Sequence, residues 1–275
     1  MFSLSFKKHI PNAITCLNLL CGCLAIVKAL DGNISQAAYL IGLAAIFDFF
    51  DGMAARVLKV SSPIGKDLDS LADMVSFGVV PGVIMFRVLQ FTNDHFIFST
   101  LPRVTPITQI HTFDHYLPYI AFLIPIFSAL RLAKFNNDER QADAFIGLPT
   151  PANSIFFCSI ALLIQQTFLE YESNPRSLHD ILSYDLRYDL YMNKLGHPYF
   201  LAVVMVVFSL LLVAEIELFS FKFKHFKWKE NEVRWLYIIW CILLISIFRF
   251  NGIPLTVVSY VGFSMISNFI QKRRA

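Results

Sequence analysis

Charged residues are scarce in this chain of 275 residues. Asp, Glu, Lys and Arg make up 16% of it, whereas about 25% is usual in soluble domains. Hydrophobic types reach 56%, and the mean hydropathy is +0.57. With this composition, a soluble protein of the same size would not have enough charged residues to cover its surface. The composition therefore excludes an ordinary cytosolic domain, a disordered chain and a basic nucleic-acid-binding protein, and we expect no nucleic acid partner.

Features typical of a metal site built from Cys and His are also missing. The five Cys lie in apolar runs, and none has the spacing to a second Cys or a His that zinc requires. The net charge of +3 is too small to indicate an acidic partner. The sequence contains no internal repeat and no low-complexity segment. We therefore expect neither disulfides, nor zinc, nor a repeat architecture.

Long apolar runs are present instead. A membrane-spanning helix needs about 20 mostly apolar residues. Eight windows approach this length, namely 10–30, 36–58, 67–91, 118–136, 150–170, 197–219, 232–249 and 252–271. They predict an all-α polytopic membrane helix bundle with about eight transmembrane helices, which occupies residues 1–275 as a single integral-membrane domain. Within it we expect a functional hairpin at about 36–91 and additional C-terminal helices at about 197–271.

The segments between these windows are short. Two polar stretches, 92–117 and 171–196, favour short interfacial helices rather than a soluble domain. Asn251-Gly252, with Pro254 next, predicts a tight turn between the last two helices. The positively charged start of the chain would also suit a signal peptide, but the first apolar run lacks a good small-residue cleavage site. We therefore expect an uncleaved first helix.

Lys and Arg are unevenly distributed over these segments. If the N-terminus lies in the cytoplasm and the chain crosses eight times, most basic residues fall on the cytoplasmic side, as the positive-inside rule requires. Seven crossings would place the basic tail at 272–274 outside. We therefore expect an integral protein of a bacterial-type inner (cytoplasmic) membrane, in contact with membrane lipids and with both termini in the cytoplasm.

Four aspartates interrupt the second and third windows, where charge is most costly. They belong to a pattern that consists of Asp48, Asp51, Gly52, Ala55, Arg56, Gly65, Asp69 and Asp73. At about 100° per residue, the aspartates of each helix share one face. The connector at 59–64 is polar and turn-like, so we expect the two helices to be antiparallel neighbours. Their acidic faces would then meet near the cytoplasmic end.

Carboxylates that converge in a membrane repel one another unless a cation neutralises them. A set of oxygen ligands suits Mg²⁺ or Mn²⁺, and such ions often retain positions for phosphate oxygens. Gly52 and Ala55 leave the backbone open to a ligand, and Arg56 offers a planar fork for a phosphate. These residues predict a metal-assisted site for a phosphate ester. The alternative, Asp–Arg pairs that fix helix register, would need more cations than Arg56 supplies.

The spacing Asp48-x2-Asp51-Gly52-x2-Ala55-Arg56-x8-Gly65-x3-Asp69-x3-Asp73 resembles, position for position, the signature of the CDP-alcohol phosphatidyltransferase family. The resemblance implies that the four Asp hold one or two divalent ions on the diphosphate of a CDP-linked lipid. It also implies that Gly52, Ala55, Gly65 and Arg56 bind the cytidine nucleotide and that Asp73 is the catalytic base. Members of the family are usually dimers, so a homodimer is implied as well.

Segments that flank this pattern, one of which begins within it, are similar to the phosphatidylserine synthase branch of the family. They lie at 11–22, 71–81, 130–136, 145–152 and 219–222. The similarity implies CDP-diacylglycerol and L-serine as substrates, and phosphatidylserine and CMP as products. Lys134 stands where Arg is more common, and the long outward loops do not map onto the pattern.

Four further residues are candidate ligands of the substrates. Thr15 and Asn18 are three residues apart in the first helix and could hydrogen-bond the cytidine nucleotide, or they could only join helices. Arg131 and Lys134, at the cytoplasmic end of the fourth window, could bind the serine carboxylate, or they could only anchor the helix at the membrane edge.

Two other functions stay open on the sequence. The same transferase chemistry could use glycerol 3-phosphate or inositol as the acceptor alcohol. A cation transporter would also place Asp residues inside a membrane, but it predicts carboxylates near the midplane and broken helices in two repeated halves. In this chain all four Asp lie in one hairpin, which favours the transferase.

Overall fold

The computed structural model describes residues 2–60, 62–100, 112–138, 145–173, 187–219, 228 and 231–274. Nearly all of these residues are helical, which confirms the predicted all-α class. The α-helices are α1 (Phe2–Leu30), α2 (Ile34–Leu58), α3 (Pro63–Asp73), α4 (Val80–Thr100), α5 (Thr112–Tyr116), α6 (Leu123–Asn137), α7 (Thr150–Ser173), α8 (Pro198–Val213), α9 (Glu232–Phe248) and α10 (Gly252–Arg274).

Short irregular segments join several of these helices. A π-helical turn at Met74–Val79 connects α3 directly to α4, and a 3₁₀ turn at Leu117–Phe122 connects α5 to α6. A second π-helical turn at Asp189–Lys194 precedes α8, and a 3₁₀ turn at Arg249–Asn251 separates α9 from α10. Two short strands, β1 (Phe145–Ile146) and β2 (Glu217–Leu218), form one antiparallel pair.

Six helical stretches among the described residues are long and apolar enough to cross a membrane. They are His9–Leu30, Ile34–Leu58, Pro63–Phe96, Asp114–Asn137, Thr150–Glu170 and Glu232–Asn268. The last of them contains both α9 and α10, and α8 is a shorter apolar helix. Helices therefore occur at all eight predicted windows, and the chain is a polytopic membrane bundle.

The two polar stretches are more helical than their composition suggests. Helix α4 continues through the first of them as far as Thr100, and the short α5 begins at Thr112. In the second stretch α7 ends at Ser173, and the π-helical turn begins at Asp189. Residues 101–111 and 174–186 lie outside the described residues.

The turn between α2 and α3 follows from local sequence signals. Lys59 adopts a left-handed conformation with φ of 52°, and its N–H bonds back to the carbonyls of Ala55 and Arg56, which ends α2. Ser62 then caps α3, because its Oγ accepts a hydrogen bond from the N–H of Gly65 at 3.0 Å. Pro63 occupies the first turn of α3, where its missing N–H costs nothing. The chain thus reverses within a few residues, as predicted.

Helix α1 packs against both α2 and α3, and it also contacts the π-helical turn at 74–79. Close approach at this turn depends on Gly22, since a Cβ there would lie 3.1 Å from the Cα of Ser76. The hydroxyl of Ser76 is buried and donates to the carbonyl oxygen of Asn18 at 3.1 Å. The N-terminal helix is therefore a wall of the functional hairpin rather than a separate anchor.

The last two helices form the tight antiparallel hairpin that Asn251-Gly252 predicts. Tyr237, near the start of α9, contacts Tyr260 and Phe263 of α10, and its hydroxyl donates to the carbonyl of Thr256 at 2.7 Å. At the turn itself, Gly252 sits directly against the backbone of Leu244.

Residues 145–148, which we call the strap, connect this C-terminal half to the rest of the bundle. Ile146 pairs with Glu217, and the N–H of Leu148 donates to the carbonyl of Leu211 at 2.9 Å. Gly147 has φ of 78°, and a Cβ on it would clash with the carbonyl oxygen of Leu212. Only glycine combines this backbone conformation with so close an approach.

Replacing Gly147 by alanine should therefore destabilise the bundle. We expect Gly147→Ala to cost about 1–3 kcal/mol, because it adds strain at a positive φ and forces the strap away from α8. A lower melting temperature of the detergent-solubilised protein would show this. Gly42→Ala is the matched control, because Gly42 lies inside α2 with nothing within 4 Å of its added Cβ. Equal melting temperatures for the two variants would contradict the role of Gly147.

Candidate active site

Three of the four aspartates form a compact acidic cluster, defined here as Asp48, Asp51 and Asp69. Each contributes one carboxylate oxygen, and these oxygens all lie within 4.8 Å of one another. Asp51 is buried, and the other two are partly buried. Helix α2 supplies two of the carboxylates and α3 the third, so the predicted convergence of the two acidic faces is present.

The fourth aspartate, Asp73, lies beside the cluster at the end of α3. Its carboxyl group makes a hydrogen-bonded contact with that of Asp48. The π-helical turn at 74–79 begins at the next residue, and such turns inside helices are frequent at functional sites. Asp73 therefore occupies the inner edge of the cluster, where the helix changes its winding.

Helix α1 contacts two of these carboxylates. The hydroxyl of Thr15 donates to Oδ2 of Asp51 at 2.6 Å, and Nδ2 of Asn18 donates to Oδ1 of Asp73 at 3.4 Å. Both side chains are buried. The i,i+3 spacing identified this pair on the sequence as candidates for binding the nucleotide, and in the structure they orient aspartates.

A cleft of about 250 Å³ opens next to the cluster. Among the predicted residues it is lined by Thr15, Asp51, Gly52, Ala55, Gly65 and Asp69. Three polar residues that the sequence reasoning missed, Asn12, Ser62 and Lys66, also line it. No spacing rule singles them out, because they reach the cleft through the packing of α1 on the turn between α2 and α3.

Small residues keep this cleft open. A Cβ on Gly65 would lie only 3.0 Å from Oδ1 of Asn12, so a larger residue would crowd the contact with α1. The Arg56 side chain is exposed, and its Nε donates to the carbonyl of Gly52 at 2.9 Å. The guanidinium group is thus held on the α2 side of the cleft, where it can meet an anionic ligand.

The cytoplasmic end predicted for α6 lies beside α3. Nδ2 of Asn136 donates to Oγ of Ser70 at 2.9 Å. Arg131 is buried on the same helix, with its Nε donating to the carbonyl of Leu148 at 3.1 Å and its guanidinium 4.9 Å from the Phe135 ring centre. Its positive charge interacts electrostatically with Asp73.

Lys134 differs from Arg131 in its surroundings. Its side chain is exposed, and Nζ donates to the carbonyl of Val213 at 3.5 Å, at the end of α8. The structure therefore brings Arg131 towards the aspartates and directs Lys134 to the edge of the bundle.

Comparison with known proteins gives this arrangement a context. The family model described as CDP-alcohol phosphatidyltransferase matches residues 8–184. That range includes the acidic cluster, Asp73, the cleft and Arg131. The match extends over more than half of the chain.

The chain belongs to the CDP-alcohol phosphatidyltransferase family.

Three curated relatives that are similar to this chain carry the same name. The chain is 35% identical over 196 residues to the CDP-diacylglycerol–serine O-phosphatidyltransferase of Bacillus subtilis, which covers 70% of this chain and 91% of the relative. A protein of the same name from Methanocaldococcus jannaschii is 28% identical over 76% of this chain and 95% of its own length. One from Helicobacter pylori is 26% identical over 83% of this chain and 92% of its own.

Membership in the family and the acidic cluster together make this chain a membrane-bound phosphatidyltransferase with an acidic, metal-compatible site. The carboxylate oxygens of Asp48, Asp51 and Asp69 are close enough to share one cation, and a set of oxygen ligands suits a hard divalent ion. The donor set therefore fits the metal that the resemblance implies.

The hydrogen bond from Thr15 should strengthen metal binding. We expect Thr15→Val to lower the apparent affinity for Mg²⁺ or Mn²⁺ by roughly 10- to 100-fold, because Asp51 loses the donor that orients it. Titrating activity against the metal, together with Mn²⁺ binding followed by electron paramagnetic resonance, measures this. Thr15→Ser retains the hydroxyl and serves as the control. Equal metal affinities in the two variants would show that Thr15 does not orient a ligand.

Proposed function

We propose that this enzyme is a phosphatidylserine synthase, which transfers the phosphatidyl group of CDP-diacylglycerol to the hydroxyl of L-serine and releases CMP. The observation that carries the proposal is the acidic cluster beside a polar cleft, in a chain whose curated relatives bear the corresponding name. The proposal gives each part of the site a distinct task.

The metal in this proposal is Mg²⁺ or Mn²⁺, as one or two ions. Asp48, Asp51 and Asp69 would hold it, and Asp73, whose carboxyl group contacts that of Asp48, would be the fourth ligand. When bound, a divalent ion withdraws charge from the diphosphate oxygens and stabilises CMP as it leaves. The close packing of several carboxylates is otherwise costly, which is consistent with a site built for a cation.

The cleft is the proposed nucleotide site. Gly52, Ala55 and Gly65 leave room for the cytidine diphosphate against the backbone, and Arg56 supplies a bidentate donor for a phosphate. Thr15 and Asn18 would support this site through Asp51 and Asp73, in addition to any direct contact with the nucleotide.

Asp73 is the proposed general base. The serine oxygen attacks the phosphorus that carries the diacylglycerol, and its proton moves to the Asp73 carboxylate. The new P–O bond forms as the bond from that phosphorus to the bridging oxygen breaks, and CMP leaves with this oxygen. Asn18 and Asp48 would hold the base in place through their contacts with its carboxyl group.

Arg131 is the proposed partner of the serine carboxylate. It is a buried cation near Asp73, so an acceptor bound to it would place its hydroxyl on the side of the base. Lys134, whose side chain is exposed, would add positive charge at the outer edge of this serine site. Glycerol 3-phosphate and inositol are the alternative acceptors.

The membrane arrangement is part of the proposal. We place the protein in a bacterial-type inner membrane, with the active site and both termini on the cytoplasmic side. The bias of Lys and Arg towards that side supports this orientation. A homodimer surrounded by membrane lipids is the proposed assembly.

A labelled-acceptor assay tests the function directly. Purified enzyme with CDP-diacylglycerol and labelled L-serine should yield labelled lipid and an equal amount of CMP, whereas labelled glycerol 3-phosphate and inositol should yield none. Asp73→Asn should lower the rate by roughly 100-fold or more, because the amide cannot accept the proton. Absence of label from serine in lipid, with label from another alcohol, would overturn the acceptor assignment.

Removal of the metal should abolish the reaction. Excess chelator should stop CMP release, and adding Mg²⁺ or Mn²⁺ should restore it, because the diphosphate otherwise faces uncompensated carboxylates. The double variant Asp69→Asn/Asp73→Asn should be inactive at every metal concentration. CMP release that survives this double substitution would contradict the roles proposed for Asp69 and Asp73. A wild-type protein that releases no CMP but carries a divalent ion across a vesicle membrane would favour the cation transporter.

A further inference from the structure

Three side chains of α6 and α7 are buried and incompletely hydrogen-bonded. Oγ of Ser128, Nη2 of Arg131 and both side-chain polar atoms of Asn153 are closed to solvent and have no hydrogen-bond partner within the described part of the chain. Ser128 and Asn153 have no exposed surface, and Arg131 is 5% exposed. Native proteins leave few such groups, so each calls for an explanation.

The three residues lie on two helices that both pack against the π-helical turn at 74–79. Ser128 and Arg131 are one turn apart on the same face of α6, and Cβ of Ser128 packs against Gly78 in the π-helical turn. Nε of Arg131 donates to the carbonyl of Leu148, which lies two residues before the start of α7. Asn153 lies in the first turn of α7, and α7 also contacts the π-helical turn.

This region adjoins the proposed base. The π-helical turn at 74–79 begins directly after Asp73, and Arg131 interacts electrostatically with Asp73. None of the three residues with unpartnered groups lines the cleft that we assign to the nucleotide.

Asn153 is the most informative of the three. An amide that is fully buried without a partner lowers stability, because it has given up its hydrogen bonds to water. A leucine of similar size would avoid that cost. The residue therefore makes physical sense if a ligand supplies the missing hydrogen bonds during the reaction.

We propose that Asn153, with Arg131 and Ser128, binds the amino-acid part of the acceptor and thereby selects an amino alcohol. This inference rests on the proposed function and deepens it. Arg131 offers a cation to a carboxylate. The Asn153 amide can donate through Nδ2 to the carboxylate and accept through Oδ1 from the ammonium group, and the Ser128 hydroxyl can do either. Such a set complements a zwitterion, and an acceptor without an ammonium group would leave it partly unpaired.

Two leucine substitutions in α7 test the proposal. Asn153→Leu should raise the KM for serine by roughly 10- to 100-fold, because hydrogen bonds to charged ligand groups are lost. The KM for CDP-diacylglycerol should not change, and the melting temperature without substrate should stay the same or rise. Stabilisation of the detergent-solubilised protein by serine, measured as a shift in melting temperature, should weaken in parallel and gives a readout that needs no turnover.

Gln165→Leu is the matched control, because it removes an amide of the same helix that does have partners. Gln165 bonds to the N–H and hydroxyl of Ser35 at 2.7 and 2.8 Å and to the carbonyl of Gly32 at 2.9 Å. This variant should have a lower melting temperature and an unchanged KM for serine. The opposite responses of the two amides are the signature of a ligand site.

Each result has a defined meaning. An unchanged serine KM in Asn153→Leu overturns the proposal, as does a fall in melting temperature like that of Gln165→Leu, which would assign the amide to the core. Arg131→Met should raise the serine KM at least as much as Asn153→Leu. If the wild-type enzyme uses another alcohol, the proposed function fails first, and a KM for that alcohol that does not respond to Asn153→Leu then overturns this site separately.

Discussion

The helices around the functional hairpin must offset the mutual repulsion of carboxylates that lie close together in it. Asp48, Asp51 and Asp69 bring their oxygens within 4.8 Å of one another inside a membrane protein, and Asp73 adjoins them. Few side chains of the cluster's own helices can offset this repulsion, so the surrounding elements must do so. Helix α1 supplies donors from Thr15 and Asn18, and α6 supplies the Arg131 cation. The packing of α1 and α6 around the hairpin is thus part of the electrostatics of the site.

The C-terminal helices contribute to the same site from outside it. The family model ends at residue 184, yet α8 and the strap make hydrogen bonds that position Leu148, the backbone partner of Arg131. Helix α10 stabilises β2, the strand paired with the strap, because Nδ2 of Asn268 donates to the carbonyl of Glu217 at 2.6 Å. Residues beyond the range matched by the family model therefore help to orient a residue of the proposed acceptor site.

Sequence reasoning was successful where a pattern depends on neighbours along the chain. The apolar windows, the turn at Asn251-Gly252 and the shared face of the aspartates on each helix follow from such local signals, and the structure contains each of them. Contacts between distant segments were not accessible in this way. The cleft residues Asn12 and Lys66, and the pairing of residues 145–146 with 217–218, depend on how helices pack in three dimensions. Asn153 carries no local signal at all, since its distinction is the absence of partners after folding.

The π-helical turn at 74–79 joins α3 and α4 into one long continuous helix, and it determines how the faces of the two halves are oriented. Asp69 and Asp73 point to α1 and α2, whereas Phe77, Ile84 and Met85 are completely buried in the apolar core. Because the turn is wound more widely than an α-helix, the acidic face of α3 and the apolar face of α4 can point in different directions along one continuous helix. Deleting one residue there would rotate one half against the other by about 100°. The number of residues in this turn therefore sets how the acidic and apolar faces are oriented relative to each other.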